Sequence, residues 1–121
     1  MERHKVLEAE ILGIANDWQN VMDLRHFTIS HKFDKGFKDD DADVCGETEA
    51  YPQYRQARIT WFMASCFRLP SDELEGVVVH ELVHVAISPL ESQVKASCNE
   101  YTELGVENVA RALLGARYGK H

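Results

Sequence analysis

Along residues 2–24, Leu7, Ile11, Ile14, Trp18 and Val21 recur at three- and four-residue intervals with charged residues opposite, which predicts an amphipathic helix burying one stripe. The period then changes. In residues 26–33 every second side chain, Phe27, Ile29, His31 and Phe33, falls on one face, as in a strand. Two further strands are expected near residues 44–50 and 57–63. In the second, Ala57, Ile59, Trp61 and Met63 alternate with Arg58, Thr60 and Phe62, and Tyr51-Pro52-Gln53-Tyr54 separates the pair. Residues 35–43 are polar and acidic, and read as a loop.

Helical character returns at residues 76–87, GVVVHELVHVAI, which are apolar nearly all round, so the helix should be buried. Asp72 followed by Glu75 suggests a capping arrangement at its start, and Pro89 should halt it at about Ser88. Residues 97–117 predict a last helix with Val106, Val109, Ala110, Leu113 and Leu114 on its buried face and Ser97 with Glu100 as a capping box. Gly105 in that helix either permits close approach to its neighbour or is merely tolerated. Together these elements predict an α+β fold over residues 1–121 as a single domain: an N-terminal helix, a small three-stranded, mostly antiparallel sheet, the apolar helix and a C-terminal helix.

The only strongly polar side chains in residues 76–87 are His80, Glu81 and His84. Two histidines four residues apart on a helix point the same way and can grip one metal ion, with the intervening glutamate beside them. This is the HExxH signature of zinc-dependent hydrolases, usually peptidases. A buried carboxylate with two imidazoles is costly unless paired or coordinated, and a metal would satisfy all three. A catalytic zinc needs a third protein ligand and an open position for water. At about 100° per residue Glu103 lies nearest the buried face of the last helix and is the expected ligand. Glu107, one turn on, could orient an imidazole, and Glu100 points outward.

With 121 residues, 45% of them hydrophobic, the chain has room for one compact core. A net charge of −7 argues against a nucleic-acid partner. Cys45, Cys66 and Cys98 form no CxxC pair and read as small buried hydrophobes of a reducing compartment. No signal peptide or transmembrane run is visible, so a cytoplasmic location without membrane attachment is expected. Asp39, Asp41 and Asp43 mimic the opening of a calcium loop, but Val44 and Ala50 stand where its glycine and closing glutamate belong. His31 is more readily a hydrogen-bonded structural histidine than a cleft residue.

The HELVH stretch, the glutamate about one helix-hairpin later and a second acid one turn on resemble the gluzincin branch of the zincin metallopeptidases. More narrowly, His80 to His84, Pro89-Leu90, Glu103 and Val109-Ala110-Arg111-Ala112-Leu113 resemble the small metallopeptidases of phages and prophages, over the C-terminal third of the chain. A metzincin would need glycine at Ile87 and histidine at Leu90. The resemblance implies a minimal zincin-like domain with Zn2+ held by His80, His84 and Glu103, and Glu81 as general base. It implies hydrolysis of an amide bond in a peptide or protein substrate by a zinc-activated water, with the substrate aligned along a sheet edge, in the host cytoplasm if phage-encoded. Tyr51, Tyr54, Tyr101 and His31 all remain candidates to steady the oxyanion. Two alternatives stand beside this reading: an inactive zincin-like interaction or regulatory module with a structural metal, and a buried polar network without metal. Oligomeric state is not legible.

Overall fold

The computed structural model describes residues 2–39, 41–94 and 98–119. Its elements are helix α1 (Glu2–Val21), strands β1 (Thr28–Asp34) and β2 (Gly46–Tyr51), a 3-10 turn (Pro52–Tyr54), strand β3 (Gln56–Phe62), and helices α2 (Met63–Cys66), α3 (Ser71–Glu91) and α4 (Asn99–Tyr118). This is the expected α+β class, but the sheet is mixed and not mostly antiparallel. Its order is β1-β3-β2, with β3 antiparallel to β2 and parallel to β1. After β1 the chain passes to the far edge and returns to the centre through the short turn after Tyr51, where Arg55 adopts a left-handed conformation (φ 53°).

The register sets three rows of side chains across one face: Ile29, Ala57 and Ala50; His31, Ile59 and Thr48; Phe33, Trp61 and Gly46. Ala57, Ile59 and Trp61 of the central strand are buried, as are Leu7, Ile11, Ala15 and Trp18 of α1 and Leu74, Val78, Val79, Leu82, Val83 and Val85 of α3. The sheet thus carries helices on one face, and β2 lies along α3 at the level of the HExxH residues.

His31 is the histidine of the middle row. Its Nδ1 accepts a hydrogen bond from Trp61 Nε1 at 3.0 Å, the structural role expected. Burial holds its imidazole below the ordinary range, so the fold binds the neutral ring. The unfolded chain protonates this ring near pH 6.5, so the stability it contributes is complete above about that pH and is lost as pH falls below it. Urea denaturation from about pH 8 to about pH 5 should show a steeper acid-side loss in the parent than in His31→Gln, which keeps an acceptor for Trp61. Equal slopes would remove His31 as the cause.

Three boundaries differ from expectation. Helix α1 ends at Val21, and the following turn is tied by Gln19, whose side-chain amide donates to the carbonyls of Leu24 and Phe27. Val21 is exposed and Ala15 takes its place in the buried stripe. Helix α3 starts at Ser71 behind Pro70 without a side-chain cap, because Glu75 is engaged elsewhere: its Oε2 accepts from Trp18 Nε1 and from Tyr118 Oη, each at 2.6 Å, joining α1, α3 and α4. The same helix continues through Pro89 to Glu91 instead of stopping at Ser88.

Helix α4 packs on α3 through a narrower stripe than predicted. Val106 and Ala110 are buried, with Leu113 and Leu114 partly so, while Val109 faces outward. Gly105 is exposed with open space around it, so it is tolerated and does not serve close packing. The capping box expected at Ser97 lies outside the described residues. Cys66 is buried, whereas Cys45 and Cys98 are partly accessible, and none forms a disulfide. Among the described residues no helix is long and apolar enough to cross a membrane.

Candidate metal centre

The helical repeat places His80 and His84 one turn apart on the side of α3 that faces α4, with ring centroids 5.2 Å apart. Glu103 approaches both from α4. Its Oε1 lies 3.2 Å from His80 Nε2 and its Oε2 lies 3.0 Å from His84 Nε2. One donor atom from each of the three residues falls within 4.8 Å of the others. The two close contacts use different oxygens of the carboxylate and are hydrogen-bond distances, and donors this close need only a small adjustment to surround one ion. Two imidazole nitrogens and one carboxylate oxygen form a donor set that suits a divalent transition-metal ion. His80, His84 and Glu103 could therefore hold a metal ion. Glu100 is exposed and outside this group.

Each imidazole also has a carboxylate on its other nitrogen. His80 Nδ1 meets Glu107 Oε1 at 3.1 Å, and Glu107 Oε2 accepts from Arg111 Nε at 2.8 Å. Arg111, then His80, hold the Glu107 carboxyl below the usual range. His84 Nδ1 meets the carboxylate of Glu91, with contacts of 3.0 and 3.2 Å. Burial opposes a charge on His84, but Glu81, Glu91 and Glu103 together outweigh it and raise its pKa.

Glu81 is only 6% exposed. Thr48 Oγ1 donates to its Oε1 at 2.6 Å from β2. Burial pushes the carboxyl upward, partly offset by the Thr48 hydroxyl and the two imidazoles. Thr48 reaches Glu81 because strand alternation turns positions 46, 48 and 50 toward the helices. Gly46 makes the approach possible: a Cβ there would stand 3.0 Å from Glu81 Cγ and 3.1 Å from two atoms of the Trp61 ring. Both neighbours are held, Glu81 by Thr48 and Trp61 by His31. Gly46→Ala should therefore lower stability by about 1–3 kcal/mol, measured by urea denaturation. A variant as stable as the parent would show that the contact relaxes freely.

Two cavities flank Glu81. One, of about 550 Å³, runs past His80 and Glu107 over an apolar wall of Val77, Ala110 and Leu114. The other, of about 500 Å³, runs past His84 and Glu103 beneath Thr48 and Pro52. Both are bounded by Gly46, so β2 forms one wall of a cleft that passes the candidate metal group on both sides. Among the described residues no tyrosine lines either cavity; Tyr54 and Tyr101 are strongly exposed, and Tyr51 Oη lies 3.4 Å from Glu49.

Sequence reasoning brought together His80, His84, Glu103 and Glu107, and it missed Glu91 and Thr48. The alternation of residues 44–50 held a signal for Thr48. Glu91, seven residues after His84, carried one only for a helix that survives its proline. Comparison with known proteins finds no matching family model, curated protein or solved structure.

Proposed function

We propose that the chain is a zinc-dependent hydrolase that cleaves peptide bonds. The observation that carries this reading is the convergence of His80 Nε2, His84 Nε2 and the Glu103 carboxylate beside a buried glutamate in an open cleft. When bound, zinc supplies a Lewis acid that lowers the pKa of a water to about 7 and polarises a carbonyl.

The chain's own groups supply the rest. Glu81 is the general base, taking a proton from the attacking water and passing it to the leaving nitrogen. Thr48 fixes one carboxylate oxygen, and Glu81 lines both cavities of the cleft. Strand β2 is an edge of the sheet, so an extended peptide lying in the cleft can pair with its free backbone while its side chains enter the two cavities. The apolar wall of Val77, Ala110 and Leu114 favours an apolar side chain on the His80 side.

The test combines zinc titration with a library of internally quenched peptides. One zinc per chain and chelator-sensitive cleavage are expected. Zinc binding with no peptide cut would favour an interaction module with a structural metal. Failure to bind zinc would leave the His80–Glu103–His84 contacts as a polar network and end the proposal.

A further inference from the structure

We infer that Glu91 is a positioning residue for His84, locking the ring so that Nε2 faces the metal; this rests on the metal-binding reading above. The local chemistry explains how an acid beyond a proline comes to serve the site. Pro89 has no N–H, so the carbonyl of Val85 loses its helical donor. Ser88 Oγ supplies one instead, donating to Val85 O at 2.8 Å. Ser92 N then donates to Ser88 O at 3.1 Å, and the helix stays in register to Glu91. At 3.6 residues per turn, Glu91 lies about two turns beyond His84 on the same side.

A carboxylate accepts hydrogen bonds, so the contacts of both Glu91 oxygens favour the tautomer of His84 that carries a proton on Nδ1. Nε2 faces a carboxylate too, that of Glu103 at 3.0 Å, so the Nε2 lone pair is free for a cation only where one lies between them and Nδ1 keeps its proton against Glu91. Its negative charge also makes the imidazole a stronger donor to a cation. Glu91 is not a loose surface acid: its side chain is 26% exposed and it borders the cavity on the His84 side. His80 receives the same treatment from Glu107 on a different helix, so each ring is held independently.

The experiment measures zinc affinity by competition with a chromogenic chelator for the parent, Glu91→Ala and Glu91→Gln. It also records melting of the zinc-free proteins and the His84 Nδ1–H proton signal of the zinc-loaded ones. Glu91→Ala should weaken zinc binding roughly 10–100-fold with a nearly unchanged zinc-free melting temperature, and should expose the Nδ1–H to rapid solvent exchange. Glu91→Gln keeps an acceptor without the charge and should fall between parent and alanine variant. Parent-like affinity with a still-protected Nδ1–H in Glu91→Ala would overturn the role while leaving the metal centre intact. If that variant fails to fold, the same two readouts on Glu91→Gln decide. A parent that binds no zinc would remove the metal reading and this inference together.

Discussion

Replacing Glu81 by glutamine is expected to lower peptide turnover by roughly 10²–10⁴-fold while leaving zinc affinity close to that of the parent. Glu81 stands outside the group of donors that converge for the metal, so its loss removes no ligand. Glutamine has nearly the same shape and can still accept the Thr48 hydrogen bond, so the side chain should stay in place. What disappears is the ability to take and return a proton. The substitution also removes a carboxylate whose ionisation burial opposes, so the variant should be about as stable as the parent. Turnover, zinc titration and thermal melting on one preparation check all three points. Undiminished turnover in Glu81→Gln would show that another group is the base.

The second large effect is expected from Glu103→Ala, which should weaken zinc binding by more than the roughly 10–100-fold typical of losing an outer hydrogen-bond partner. Among the described residues, Glu103 is the only side chain of α4 in the candidate ligand group and the only carboxylate that faces Nε2 of both histidines. Its loss leaves two ligands, too few for a catalytic site. A ligand that binds only the native state raises stability by about 2.7 kcal/mol at a hundred times its dissociation constant. Zinc should therefore raise the melting temperature of the parent and of Glu100→Ala, and fail to raise that of Glu103→Ala. If Glu100→Ala were the variant that lost the response, the ligand would be the wrong acid of α4.

The parts of this site legible in the sequence are those that depend on one helix at a time. The spacing of His80 and His84 and the choice of Glu103 over Glu100 follow from the helical repeat and the apolar stripe alone. The unread parts depend on how elements meet. Whether a helix ends at a proline is an exception to that rule, since it depends on whether another donor satisfies the freed carbonyl, and Ser88 does so within α3 itself. Which sheet edge borders the site depends on strand order, and the central position of β3 between one parallel and one antiparallel partner has no local signature. Glycine roles were likewise decided by neighbours: Gly105 meets nothing, and Gly46 lies against Glu81 and Trp61.

The most direct measurement is a crystal structure of the zinc-loaded protein with anomalous scattering recorded at the zinc edge. One ion is expected roughly 2.0–2.2 Å from His80 Nε2, His84 Nε2 and a Glu103 oxygen, with Glu81 beside it and uncoordinated. Zinc bound elsewhere on the chain, with these three side chains turned away from a common point, would contradict the proposed centre.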